Sequence, residues 1–216
     1  MTTGFFITFE GVEGCGKTTQ LRLLKEFLTA RGYAVTATRE PGGTPIGDSI
    51  RKLVLASGAG CIDSKTELML YEASRAQHMR EVIGPALSEG HIVLCDRFGD
   101  ATLAYQGYAQ GLPVDCIEKL NRFTTGNRGP DLTILLDCPV ELGLERTRER
   151  AARTGQGMTE DRFEKKDLDF HRRVRQGYLD IAQRNSGRFL IVDGSREPAA
   201  VQAVMRPAVL ERLQHL

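Results

Sequence analysis

Tryptophan is absent from this chain, and that absence decides nothing about function. Other shortages decide more. The five cysteines, Cys15, Cys61, Cys95, Cys116 and Cys138, are odd in number and form no Cys-x-x-Cys pair. This argues against a disulfide framework and a thiolate zinc site, and it fits a reducing, cytoplasmic setting. The four histidines, His78, His91, His171 and His215, show neither His-x-His nor His-x-x-x-His spacing, which argues against a histidine-rich metal site. Charge of one sign is also lacking. With 29 Lys and Arg against 28 Asp and Glu, the net charge is +1, so no global field recruits nucleic acid or a membrane surface. Long apolar runs are missing as well. The longest, around Thr133–Leu136, are strand-length and far below a membrane span. Met1-Thr2-Thr3-Gly4 has no basic region or apolar signal core, so secretion is not expected. No repeat, low-complexity tract or linker divides the 216 residues, and a hydrophobic share of 41% is enough for one large core. The expectation is a single domain spanning 1–216.

What is present begins with Gly11-Val12-Glu13-Gly14-Cys15-Gly16-Lys17-Thr18, which fits the phosphate-binding pattern G-x-x-x-x-G-K-[ST]. An apolar, β-rich segment, Phe5–Phe9, leads into it, and a helical pattern of Leu21, Leu23, Leu24, Phe27 and Leu28 follows. Glycines let the backbone curl so that successive N–H groups point at one spot, and the helix N-terminus adds its positive end. The pattern assigns Gly11 to Thr19 to ATP. Lys17 is expected at an exposed position, reaching the β- and γ-phosphates, with the Thr18 hydroxyl on Mg²⁺.

Strands and helices alternate along the chain. Strand-like runs are Phe5–Glu10, Ala34–Glu40, His91–Asp96, Leu132–Asp137 and Phe189–Asp193, each apolar on both faces. Helical stretches are Thr18–Ala30, Gly47–Ala56, Lys65–Glu89, Val114–Thr124, Val140–Arg150, Lys166–Arg184 and Pro198–Leu213. This pattern predicts α/β architecture, a parallel sheet buried between helices. Ser64-Lys65-Thr66-Glu67 reads as a capping box, and Gly32 and Gly90 read as helix stops. The strands end in acids, Glu10, Glu40, Asp96, Asp137 and Asp193. Ligands of open parallel sheets bind beyond that edge, so Glu40-Pro41 and Asp96-Arg97 are expected to share a crevice with Lys17, with Glu40 among the acceptor-binding residues.

Four further features carry chemistry. Arg97, just past a strand, is well placed to hold two oxygens of a phosphate with its planar fork; a structural Arg–Asp pair is the alternative. Arg39-Glu40-Pro41-Gly42-Gly43 forms a tight loop that backbone can use to approach a ligand, although alone it is only a turn. Tyr71 and Arg75 are four apart on one helix face, where a ring and a guanidinium suit a base; half-buried packing with a snorkelling arginine is the other reading. Arg146, Arg148, Arg150 and Arg153 crowd one region, either a solvated helix face or a lid over 146–162. The glycine-containing stretch Thr154–Met158 directly after them favours the lid.

Taken together, these motifs resemble the thymidylate kinase family of P-loop nucleoside-monophosphate kinases. The resemblance runs from Phe9-Glu10-Gly11 to Asp193 through Arg39-Glu40-Pro41-Gly42-Gly43-Thr44, Tyr71 with Arg75, Asp96-Arg97-Phe98, Ala104-Tyr105-Gln106 and Asp131-Leu132-Thr133. It implies a three-layer P-loop NTPase fold, with a five-stranded parallel sheet flanked by helices and a helical lid. It implies ATP as donor with Mg²⁺, dTMP as acceptor, and a homodimer. Residue by residue, Lys17 and Thr18 match the phosphate lysine and the Mg²⁺ hydroxyl. Glu13 matches an acid on the acceptor sugar. Tyr71 matches a ring on thymine, Arg75 an arginine on the base edge, and Thr102 a small polar residue beside the base. Tyr105 matches the ring against the deoxyribose, Arg97 and Arg51 arginines on the acceptor phosphate, and Gln106 a further polar group of that site. Cys15 departs from the usual Ala or Gly and implies thiol sensitivity. The P-loop carries no basic residue before Lys17, which matches the bacterial form with its catalytic arginine in the lid. The candidates are Arg148, Arg150 and Arg153, with Arg150 and Arg153 favoured because they are nearest the loop.

The implied reaction is in-line transfer of the γ-phosphoryl group to the dTMP 5′-phosphate. Catalysis would rest on Lys17, Arg97 and a lid arginine. A kinase of another pyrimidine nucleotide and a non-catalytic nucleotide switch are the alternative readings.

Overall fold

The computed structural model describes residues 4–55, 62–154, 163 and 166–214. Five strands, β1 (Phe5–Glu10), β2 (Val35–Arg39), β3 (Ile92–Asp96), β4 (Leu132–Asp137) and β5 (Phe189–Asp193), form one sheet in the order β2-β3-β1-β4-β5. All of its pairings are parallel. Between the strands lie α1 (Lys17–Thr29), α2 (Pro45–Leu55), α3 (Ser64–His78), α4 (Gly84–Ser88), α5 (Gly99–Thr102), α6 (Val114–Thr125), α7 (Val140–Thr154) and α8 (Leu168–Arg184). The last helix, α9 (Pro198–Leu213), follows β5.

Three layers result. Helices α1 and α9 touch each other on one side, with α1 against β1, β2 and β3 and α9 against β5; α8 packs on β4 and α4 on β3. The main apolar cluster joins Phe5, Ile7 and Phe9 of β1 to Leu21, Leu24 and Leu28 of α1 and to Met205 and Val209 of α9. A smaller cluster sets Phe6 against Ile83, Leu87, Val93, Cys95 and Phe98. Alternate residues of β1 thus serve different clusters, as strand geometry requires. No helix among the described residues is long and apolar enough to cross a membrane.

Several elements differ from the pattern-based expectation. Strand β2 is an edge strand and is half exposed rather than apolar on both faces. Helix α3 is capped by Asp63 and not by Ser64: the Asp63 carboxylate accepts from Lys65 N at 3.0 Å and Thr66 N at 3.3 Å. A carboxylate at that position gains from the helix dipole as well as from the orphan N–H groups. The expected helix Lys65–Glu89 is interrupted by a π-helical turn, Met79–Ile83. Pro85 lacks the N–H that would bond back to Glu81, so the α-ladder cannot run through. Residues 99–109, to which the pattern assigns no element, form α5 and a π-helical run, Leu103–Ala109. Nearly every residue of that run is buried, so it shows no amphipathic stripe.

Candidate active site

β1 sits between β3 and β4, and its C-terminal end opens into the P-loop. Gly14 has φ +69, and a Cβ there would fall 1.9 Å from the Gly143 carbonyl oxygen, so only glycine lets the loop lie on the first turn of α7. Val12 and Cys15 are buried. Lys17 is not exposed as expected. The loop curls around its ammonium, which donates to Val12 O at 2.8 Å, Gly11 O at 3.1 Å and Cys15 Sγ at 3.5 Å. Thr18 and Thr19 are exposed at the start of α1. The Thr18 hydroxyl donates to Asp96 Oδ2 at 2.7 Å. A hydroxyl and a carboxylate at an open position beside a phosphate loop are the hard oxygen donors that suit Mg²⁺. Asp96 was missed as a member of that pair; its signal was an acid ending the strand next to β1.

A cleft open to solvent lies beside the P-loop, which contributes Glu13 to its wall. It is lined by Glu13, Glu40, Arg51, Tyr71, Arg75, Arg97, Thr102, Tyr105 and Gln106. The structure therefore brings together all nine residues read as acceptor-binding, drawn from the P-loop, the β2–α2 loop, α2, α3, the β3–α5 loop, α5 and the π-helical run. Pro41, Leu55, Phe98, Ala101 and Phe163 complete the wall. Phe163 was not anticipated; it packs edge-on to Tyr105 with ring centroids 5.5 Å apart.

Two arginines organise the cleft. Arg97 has a positive φ of 70, rare for a residue with a side chain. Its guanidinium donates to Gly11 O at 3.2 Å, Tyr178 Oη at 3.1 Å and Glu13 Oε1 at 3.2 Å, and lies 4.9 Å above the Tyr105 ring. Arg75 does not snorkel: it is 1% exposed. Its Nε donates to Glu40 Oε2 at 2.9 Å, its Nη1 to Glu72 Oε1 at 2.6 Å and Asn121 Oδ1 at 2.5 Å, and its Nη2 to Thr102 Oγ1 at 2.9 Å. Burial alone would disfavour the charge, but Glu40 and Glu72 hold the proton on Arg75 more firmly than usual. Arg51 donates to Pro41 O at 3.2 Å, and Gln106 to Glu67 Oε1 at 2.6 Å. Glu40 and Pro41 are joined by a cis peptide bond.

The strand-end acids take different fates. Burial and the neighbouring Asp100 push the Glu10 carboxyl up to about 8, against Arg97 and the hydrogen bonds from Tyr178 and Phe98 N. Burial opposes ionisation of Glu13 in the P-loop as well, but His171, Arg97, Lys17 and Tyr105 overcome it and hold that carboxyl at about 2. Asp137 is clamped by both ends of the Arg175 fork at 2.7 and 2.8 Å. Asp193 accepts from Ser195, and the loop that they shape is gripped by Arg146, which donates to Gly194 O and Ser195 O at 2.8 Å each. Arg146 is thus committed to this loop. Arg148, Arg150 and Arg153 are exposed on α7, which runs to Thr154 instead of ending at Arg150. Of the expected lid, 155–162 lies outside the described residues.

The family description for thymidylate kinase matches residues 9–204. The chain belongs to the thymidylate kinase family. It is 53% identical over 213 residues to a thymidylate kinase of Citrifermentans bemidjiense, covering 99% of this chain and 94% of the relative. It is 54% identical over 208 residues to a thymidylate kinase of Trichlorobacter lovleyi, covering 96% and 98%. The solved thymidylate kinase of Ehrlichia chaffeensis superposes with a TM-score of 0.72 at 37% identity, covering 88% of this chain and 93% of that one. The five-stranded parallel sheet between helices is the P-loop kinase fold expected of the family.

Proposed function

We propose that the chain phosphorylates dTMP to dTDP with ATP, the dTMP lying in the cleft and the ATP phosphates on the P-loop. The observation that carries the site assignment is the convergence of nine acceptor candidates on one cleft whose floor is the P-loop itself, through Glu13 and the Arg97 bond to Gly11 O. Tyr71 lies against the base, with Arg75 and Thr102 on its edge. Tyr105 and Glu13 meet the deoxyribose, where a 2′-hydroxyl would crowd the Tyr105 ring. Arg97 and Arg51 hold the acceptor phosphate, with Glu40 and Gln106 completing the pocket. On the donor side, Gly11 to Thr19 wrap the phosphates, and Lys17 leaves its carbonyls for phosphate oxygens. Thr18 and Asp96 are the residues that would hold Mg²⁺, which when bound neutralises charge on the donor phosphates.

The acceptor phosphate oxygen is already anionic, so no strong base is needed. The protein's part is alignment and charge stabilisation by Lys17, Arg97 and an arginine of the lid, Arg150 or Arg153. A lid over 146–162 would also keep water from competing as acceptor.

A homodimer fits the exposed apolar residues Ile46, Leu53 and Met69 of α2 and α3, two helices that pack side by side. Light scattering of the purified protein tests it, and a monomer at working concentration would refute it. The cytoplasm is the proposed compartment.

A coupled assay of ADP release with dTMP, dUMP, dCMP or AMP tests the reaction. The expected result is turnover that depends on acceptor and is greatest with dTMP. ADP release independent of any acceptor would overturn the reading. In the same assay Lys17→Ala is expected to lose on the order of 3–4 kcal/mol of transition-state stabilisation while remaining folded.

A further inference from the structure

Two buried histidines outside the motifs stand in matching positions. His78 is fully buried, with Nδ1 3.1 Å from Glu40 Oε1 and Nε2 2.6 Å from Thr38 Oγ1. The other oxygen of Glu40 takes Arg75 Nε. His171, 1% exposed on the second turn of α8, has Nδ1 3.3 Å from Glu13 Oε2. The other oxygen of Glu13 takes Arg97 Nη2 at 3.2 Å and the Tyr105 hydroxyl at 2.5 Å. Arg75 and Arg97 are therefore each backed by a carboxylate, and each of these carboxylates by an imidazole on its far side.

The second set is the less ordinary. The 3.3 Å contact between Glu13 Oε2 and His171 Nδ1 falls short of full hydrogen-bond geometry, and His171 Nε2 has no partner among the described residues, though all three atoms are buried. Such atoms are costly in a native structure and call for an explanation. His78 can be explained as a hydrogen-bonded core residue. His171 cannot, because what it offers is a ring held against one carboxylate oxygen. A carboxylate turns about its last side-chain bond unless both oxygens are fixed. With Oε2 kept against His171, Oε1 stays aimed at Tyr105 and Arg97, the groups that face the cleft. Arg97, on a strained backbone, gains a fixed anchor in turn.

We propose that His171 is a positioning residue for the sugar and phosphate end of the acceptor, acting through Glu13, and that His78 plays the same part for the base end through Glu40 and Arg75. This rests on the acceptor roles given above to Glu13 and Arg75. The two histidines serve separate halves of one nucleotide, so their losses separate in the assay.

The test compares His171→Leu and His78→Leu with wild type, using dTMP, its ribose counterpart and dCMP as acceptors. His171→Leu is expected to raise the dTMP KM about tenfold and narrow the preference for deoxyribose, with the ATP KM unchanged. His78→Leu is expected to narrow the preference for dTMP over dCMP and leave the sugar preference alone. His171→Asn, which keeps an N–H near the Nδ1 position, is expected to recover most of the lost affinity. If His171→Leu does not fold, the Asn variant against wild type and His171→Gln, whose amide is displaced, carries the same comparison. Equal losses for every substrate, or no shift in either preference, would overturn the proposal. Glu13→Gln is measured alongside. If it leaves the dTMP KM unchanged, the acceptor reading of Glu13 has failed. If it raises that KM while His171→Leu does not, only the positioning role has failed.

Discussion

The Thr18 hydroxyl donates to Asp96 Oδ2 at 2.7 Å, joining the first turn of α1 to the end of β3. The contact follows from sheet order: β3 lies beside β1, with Phe9 paired to Asp96, so the acid meets the helix that β1 feeds. Asp96→Asn keeps an oxygen for Thr18 and removes the charge. Its turnover is expected to fall about a hundredfold, with a higher Mg²⁺ concentration needed for half-maximal rate. A Mg²⁺ titration of ADP release checks both, and an unchanged titration would remove Asp96 from the metal pair.

Arg75 is hydrogen-bonded to both Glu40 and Glu72, and all three side chains are nearly inaccessible. Arg75→Ala removes the guanidinium from two buried carboxylates, leaving Glu40 with His78 and Glu72 with Thr124, and is expected to cost about 3–5 kcal/mol of stability. Arg75→Lys keeps a charge but not the fork, so it should be milder on stability and still blur discrimination between dTMP and dCMP. Urea unfolding and acceptor kinetics on both variants decide. An alanine variant as stable as wild type would contradict the buried network.

For the lid, alanine at Arg150 or Arg153 is expected to lower turnover by about 10³ at one position, with calorimetric binding of ATP and dTMP largely retained. Arg146→Ala should instead loosen the β5–α9 loop that Arg146 grips. If the Arg148, Arg150 and Arg153 variants all turn over normally, α7 ends in a solvated charged face and the transition-state cation lies elsewhere.

Glu10 makes a pH prediction. Its carboxyl titrates near 8 in the folded protein against an ordinary value of 4.5, so between those values the folded state holds a proton that the unfolded state has lost. Stability accordingly falls as pH rises from about 4.5 to about 8. Glu13 works in the opposite sense, stabilising above 4.5 and losing that contribution as pH falls towards 2, outside the same window. Thermal unfolding at pH 6, 7 and 8.5 should show a declining midpoint for wild type. Glu10→Gln should flatten the decline and be more stable at pH 8.5, by on the order of a few kcal/mol. A variant that tracks wild type across the range would rule out an ionised Glu10 as the source.

Three of the five strands, β1, β4 and β5, carry the limits read from the sequence, because short apolar runs between turn signals leave little freedom in a buried parallel sheet. The P-loop was legible for a related reason: its glycines are needed for backbone shape and are visible as letters, Gly14 against Gly143 above all. The cleft residues were legible only because their motifs are ordered as in a known family. Their composition alone favoured turns and helix packing.

Two features hidden from the sequence, the π-helical run Leu103–Ala109 and the Arg75 side chain, share one property, burial. The π-helical run Leu103–Ala109 has no polar face to mark it. Arg75 could be read as a half-buried, snorkelling arginine because nothing local shows that Glu40, 35 residues earlier, lies against it.

Local patterns therefore determined the strands, the phosphate loop and the family, since each depends on residues near one another in the chain. The tertiary structure alone decided which charges meet. Tyr178 reaches Glu10 across 168 residues, His171 faces Glu13, and Lys17 is drawn under its own loop. Those contacts are set by strand order and helix packing, and it is there that burial and neighbouring charge move the protons.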